Sequence, residues 1–129
     1  MSHPSSPTTL SFPVDSPFTY RSGELYCEDV PLAALAAEVD TPVYVYSQAE
    51  FLKRAHAFVG TSRQVAGDSA MVCYAVKANA NPTLLRLLGE AGLGADVTSG
   101  GELFLARHAG IEPQMIIFSG VGKKAAEIA

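Results

Sequence analysis

An α/β fold assembled from repeated βα units, with its strands in parallel, is what this sequence predicts. Three apolar strands end near Val76, Val97 and Phe118, and those ends fall 21 residues apart each time. The interval holds a strand, a loop, a helix and a return loop, which is the beat of a parallel sheet. Two of the strands run into helix starts with their own capping chemistry: Asn81-Pro82 after the first, Ser99 with Glu102 after the second. An open doubly wound sheet and a closed eight-stranded barrel both produce this beat, so periodicity leaves that choice open.

Residues 1–17 hold four prolines among Ser and Thr with almost no apolar pattern, and are expected to be disordered or loosely extended. Residues 18–40 form a strand and helix segment. Phe18, Tyr20, Leu25 and Tyr26 give strand character around a Ser22-Gly23 turn. A helix over Pro31–Val39 follows, with proline in its first turn, where a missing N–H is harmless. Residues 41–129 form the main α/β part. Pro42–Tyr46 reads as a β-branched and aromatic strand. Ser47 and Glu50 then stand at capping-box spacing before a helix carrying Phe51, Leu52, Ala55, Phe58 and Val59 on one face. Met71–Val76 is an apolar strand long enough to be buried on both faces. The helix after Asn81-Pro82 bears Leu84, Leu85, Leu87 and Leu88 and stops near Gly92. A strand over Gly94–Val97, the Ser99-capped helix, a strand over Met115–Phe118 and a helical pattern from Lys123 complete the chain.

Composition narrows the function classes. The net charge is −4 with only 9 Lys and Arg, and without a basic cluster there is no footprint for nucleic acid. The longest apolar runs have about six residues, far short of the roughly 20 that span a bilayer. The start, Met1–Pro7, lacks the cationic and apolar segments of a secretory signal. Cys27 and Cys73 show no pairing motif and no metal-ligand spacing, so they read as reduced thiols of a cytoplasmic protein. His3, His56 and His108 are scattered, and no metal site is expected.

Chemistry in a parallel sheet gathers where strands end and helices begin. Lys77, Asp96 and Ser119 each stand at or just after such an end, so three adjacent strands aim them into one mouth. Lys77 is the most informative of these, because an apolar strand runs straight into a primary amine. A lysine whose stem lies along the core while its ammonium reaches water is the more ordinary explanation of that placement. An amine kept neutral there could instead condense with an aldehyde. Asp96 could hold that amine by charge or hydrogen bond, or could be a plain loop acid at a strand end. For Glu102 the capping box is already a full structural explanation. Gly120-Val121-Gly122-Lys123 lacks the longer glycine spacings that define nucleotide loops.

The run Tyr74-Ala75-Val76-Lys77-Ala78-Asn79 resembles the pyridoxal-phosphate lysine motif of the fold-type III decarboxylases, the alanine-racemase-like barrels. Ala95–Leu103 and Ile117–Lys123 look like the next two strand-to-helix junctions of that family, and the resemblance extends from about Phe18 onward. It implies a (β/α)8 TIM-like barrel with pyridoxal 5′-phosphate as cofactor. It also implies that Lys77 bonds the cofactor aldehyde, that Asp96 and Glu102 lie near that lysine, and that Ala75 and Asn79 line the site. Asn79 could contact the cofactor ring or simply shape its turn. The implied reaction is decarboxylation of a small amino acid, nearest the branch that turns meso-diaminopimelate into L-lysine in lysine biosynthesis. Other branches act on arginine, ornithine or carboxynorspermidine. A racemase fits less well, since Asn81-Pro82 follows where Tyr-Gly is usual there. A non-catalytic pyridoxal-phosphate carrier would keep Lys77 but lack the Asp96 block. In such barrels the phosphate-binding glycine loop, the ring-stacking histidine, the glutamate paired with the ring nitrogen and a partner-subunit cysteine come later. Neither Cys27 nor Cys73 matches that cysteine. Full-length members of the family are homodimers with sites completed across the interface.

A closed barrel takes about 200–250 residues, and 129 are roughly half of that. With the last residues reading as the opening of a helix, the expectation is the N-terminal part of a longer protein. Such a part would be inactive alone and would present open sheet edges.

Overall fold

A computed structural model of the chain describes residues 10–128. Residues 1–9 of the expected disordered tail lie outside them, as does Ala129; residues 10–17 contain no helix or strand. The chain divides into two units, Met1–Glu50 and Phe51–Ala129. That division lies ten residues beyond the boundary drawn at 40/41 from the sequence.

The first unit is a small antiparallel sheet. Strands β1 (Phe18–Arg21) and β2 (Glu24–Cys27) form a hairpin in which Phe18 faces Cys27 and Arg21 faces Glu24. Its two-residue turn places Ser22 at φ 51° and Gly23 at φ 84°, the paired left-handed geometry whose twist matches a hairpin. A two-residue strand β3 (Val30–Pro31) adds to β2, and Pro31 then stands at the N-cap position of helix α1 (Leu32–Val39), making no side-chain cap hydrogen bond. Residues 42–46 do not form the expected strand. Tyr44 is 90% exposed, and β-propensity without a neighbouring ladder gives no strand. Helix α2 (Gln48–Ala66) begins here, and Glu28 explains why the unit extends to Glu50. Its carboxylate accepts from the Ser47 hydroxyl at 2.6 Å and from the Ala49 N–H at 3.0 Å. Ser47 Oγ in turn accepts from the Glu50 N–H at 3.0 Å, the first half of the predicted capping box.

The second unit carries the βα repeat. Strands β4 (Cys73–Ala75), β5 (Gly94–Val97) and β6 (Ile116–Phe118) form a parallel sheet in that order. Ala75 lies opposite Asp96, Asp96 opposite Ile117, and Val97 opposite Phe118. Helices α3 (Pro82–Glu90) and α4 (Gly100–His108) connect the strands, and α5 (Ala125–Ile128) follows β6. One face of the sheet carries Tyr74, Ala95, Val97, Ile116 and Phe118. With Val76 just past β4, these pack with Leu85, Ala106 and Ile111 into the main core. Val76, Leu85, Ala95, Val97 and Ala106 are fully buried there. A second cluster of Ala55, Val59, Leu88 and Leu93 seats α2 against the end of α3.

Two strand expectations are corrected. The lysine strand is three residues long, because β4 pairs only where Gly94–Asp96 lie opposite it, and Val76–Ala78 then turns as a 3-10 helix. Nor is that strand buried on both faces. Pleating puts Cys73, Ala75, Asp96 and Ile117 on the side away from the helices, and Ile117 is 45% exposed there. The final helix is shorter than the pattern from Lys123, since Lys123 and Lys124 precede its first turn.

Candidate functional site

The site is built at the carboxyl end of this sheet, on the face turned from the helices. β4 ends at Ala75 and delivers Lys77 into the 3-10 turn Val76–Ala78. The amine is exposed and makes no hydrogen bond or ion pair among the described residues, as the ordinary explanation of a strand-end lysine has it. Its availability rests on placement at a strand end, where the backbone turns away and leaves the side chain free.

Asp96 sits one layer deeper on the same face, directly across from Ala75. Its Oδ1 is buried and has no hydrogen-bond partner among the described residues. Buried carboxylate oxygens are nearly always hydrogen-bonded, so an orphaned one points to a partner outside the polypeptide or to a functional strain. The Asp96 charge is felt by Cys73 on the same face. Burial first, and that charge second, push the Cys73 thiol above its ordinary range.

The loops around the mouth are held by local hydrogen bonds. Asn79 Oδ1 accepts from the Asn81 N–H at 3.0 Å, and the Asn79 carbonyl accepts from the Tyr74 hydroxyl at 3.4 Å. Asn81 Oδ1 caps α3 through the N–H groups of Thr83 and Leu84. Asn79 thus holds the turn that follows Lys77. The Ser99 hydroxyl caps α4 by accepting from the Glu102 N–H at 3.2 Å. Glu102 Oε2 reaches back not to Ser99 but one residue further. It accepts from the Thr98 N–H at 2.7 Å and from the Thr98 hydroxyl at 3.0 Å. Ser119 extends the β5–β6 ladder by donating its N–H to the Val97 carbonyl at 3.0 Å. Gly100, the first residue of α4, donates its N–H to Glu127 Oε1 at 2.9 Å, and Lys124 donates to Glu127 Oε2 at 2.8 Å.

Sequence reasoning missed two glycines that make the site possible. A side chain at Gly94 would collide with the Met115 carbonyl and stand 2.9 Å from Cys73 Sγ. One at Gly120 would stand 2.5 Å from the Thr98 carbonyl oxygen. A glycine inside a strand is a recognised sign of close backbone approach, so Gly94 was findable. Ala75 also lines an open cleft of about 370 Å³ with Phe51, Arg54, Phe58, Tyr74 and Leu93. That cleft is almost wholly apolar and excludes Lys77 and Asp96, so it is not where a phosphate-bearing group belongs.

An exposed amine just past one strand end and an unpartnered carboxylate oxygen on the neighbouring strand suit a ligand that offers an aldehyde to one and a positive or donor group to the other. Pyridoxal phosphate is such a ligand, and these residues fit it. No cluster of metal-ligating side chains occurs among the described residues. No helix among them is long and apolar enough to cross a membrane.

The fold and this site define a class of protein: βα units that place a lysine just past the carboxyl end of a strand in a parallel sheet. Residues 49–129 match the family described as pyridoxal-dependent decarboxylase, pyridoxal binding domain, and the chain belongs to that family. It is 50% identical over 109 residues to the diaminopimelate decarboxylase of Aquifex aeolicus, covering 84% of this chain and 25% of that protein. It is 45% identical over 112 residues to the diaminopimelate decarboxylase of Zymomonas mobilis, covering 87% of this chain and 27% of that one. The crystal structure of the M. jannaschii diaminopimelate decarboxylase in complex with L-lysine matches with a TM-score of 0.77 at 32% identity. That match covers 88% of this chain and 26% of that one. The chain thus spans about a quarter of the length of the curated relatives it matches. With this likeness the strand periodicity resolves to the barrel rather than the open sheet.

Proposed function

We propose that this chain supplies the cofactor lysine of a carboxy-lyase that converts meso-diaminopimelate to L-lysine and CO2. The observation that carries this reading is Lys77, free at the end of β4, beside the orphaned Asp96 carboxylate on β5. High identity to diaminopimelate decarboxylases supports the choice of substrate.

Lys77 would hold the cofactor through its ε-amino group, which the 3-10 turn presents at the mouth. When bound, pyridoxal phosphate accepts the electron pair left on the substrate α-carbon as its bond to the carboxylate breaks. Asp96 would stabilise the Lys77 ammonium whenever the amine is not engaged, and its place on the sheet face away from the helices lets it do so without crossing the helix-packed core. Ala75, small and level with Asp96, leaves room above the strand for a planar ring. Asn79 holds the turn that follows Lys77, so the amine leaves the sheet in one direction. The same reading carries a cytoplasmic homodimer whose sites are completed across the interface, which sedimentation of the intact protein would test.

Borohydride reduction of the pyridoxal-phosphate-loaded protein, followed by digestion and mass mapping, places the cofactor. The expected label is on Lys77, and Lys77→Ala abolishes both label and CO2 release from meso-diaminopimelate. Label on another side chain, or release of CO2 from arginine or ornithine in preference, would refute the reading.

A further inference from the structure

We propose that Glu102 is a positioning residue: its carboxylate clamps Thr98 and so fixes the end of the strand that carries Asp96. This inference rests on the reading that Lys77 and Asp96 form the cofactor site. Thr98 follows Val97, the last residue of β5, and lies two residues beyond Asp96 in the bend that leads into α4. One Glu102 oxygen takes both of its donors, the backbone N–H at 2.7 Å and the hydroxyl at 3.0 Å. From the other side the loop after β6 abuts Thr98, with Gly120 so close that a Cβ would stand 2.5 Å from the Thr98 oxygen and 3.1 Å from its Cα. Glu102 itself is anchored, because its N–H is held by the Ser99 cap at the start of α4. Thr98 is therefore gripped between a rigid helix start and an adjoining backbone. The β5 end cannot twist without breaking two hydrogen bonds or colliding with Gly120. Glu102 reaches its effect through Thr98, with no contact to the cofactor required.

Hydrogen-bond capacity, not charge, is what the clamp needs. A glutamine carbonyl oxygen accepts from both Thr98 donors; an alanine accepts from neither. In the intact, pyridoxal-phosphate-loaded protein, Glu102→Ala is expected to lower kcat about 30-fold, within the range that misplacement of a reacting group produces. Glu102→Gln should recover kcat to within about threefold of wild type, on the same geometric ground. Cofactor dissociation constants of both variants should stay within about threefold of wild type, since the carboxylate binds Thr98. A Gln variant as impaired in kcat as the Ala variant, or a loss of cofactor affinity well beyond threefold in either variant, would overturn the proposal. So would wild-type kcat in Glu102→Ala. Should that variant not fold, Thr98→Val removes the hydroxyl arm alone; a several-fold drop in kcat restored by Thr98→Ser is expected, and wild-type kcat in Thr98→Val overturns the clamp. Borohydride labelling of the wild type separates the two readings. Label away from Lys77 defeats both, whereas label on Lys77 with no rescue by glutamine defeats only this one.

Discussion

A carboxylate oxygen buried without a donor, as at Asp96, is tolerated only at an energetic penalty of roughly 1–3 kcal/mol. Such a penalty is retained where the group serves a ligand, because binding then relieves it. Asp96→Ala is accordingly expected to leave the cofactor-free protein no less stable, and up to about 1 kcal/mol more stable, in urea denaturation. The same variant should lose turnover by about two orders of magnitude, as removal of one well-placed charge near a reacting centre does. A destabilised Asp96→Ala variant with normal turnover would show that the residue is structural. Gly94 makes the complementary case. Its missing side chain lets β5 pass the Met115 carbonyl and the Cys73 thiol, so Gly94→Ala is expected to lower stability by about 1–3 kcal/mol, the usual penalty of overpacking. Lys77 was legible as a candidate because an amine ended an apolar strand. Its exposure agrees with the ordinary reading of a strand-end lysine whose ammonium reaches water; the 3-10 turn that carries it is what no local pattern announces.

At the scale of elements, the helix starts carried the clearest signals. Asn81 ahead of Pro82 and Ser99 ahead of Glu102 each announce an N-terminus, and each side chain accepts the N–H groups that its position demands. Asn81→Ala should lower the stability of residues 51–129 by about 1 kcal/mol, seen as earlier melting of the α3 amides in hydrogen exchange. Local patterns failed where pairing decides the outcome. Residues 42–46 have strand composition yet form no ladder, and β4 ends where Asp96 stops opposing it rather than where its apolar run stops. Strand length is a property of two segments, and one segment cannot state it. The capping boxes were also only partly legible. Ser47 and Ser99 do cap, but Ser47 also donates its hydroxyl to Glu28, and Glu102 reaches back to Thr98, and both of these partners lie outside the four-residue pattern.

Each of the two units of the molecule is closed by one carboxylate that joins segments distant in sequence. Glu28 ties the end of β2 to the start of α2, and Glu127 ties the start of α5 to the start of α4. Hydrogen bonds hold both below the ordinary glutamate value of 4.5: for Glu28 chiefly from the Ser47 hydroxyl, for Glu127 chiefly from the Lys124 N–H and then Gly100. A folded-state pKa below the unfolded one means that the ionised form is favoured by folding. The stability from each clasp is therefore fully present above the ordinary value and is lost as pH falls through the folded-state value. The two clasps lie in different units, so acid should loosen each unit at its own carboxylate. Backbone hydrogen-exchange protection at Ala49 reports on the Glu28 clasp, and protection at Gly100 and Lys124 on that of Glu127. All three are expected to hold down to about pH 4.5 and to fall as the pH drops further towards about 3, below the ordinary glutamate value. Glu127→Gln should weaken protection at Gly100 and Lys124 already at neutral pH while leaving Ala49 as in the wild type, because one amide oxygen cannot serve both donors as a carboxylate does. Protection at Gly100 that stays constant across this range in the wild type would show that Glu127 does not hold the loop after β6 against α4.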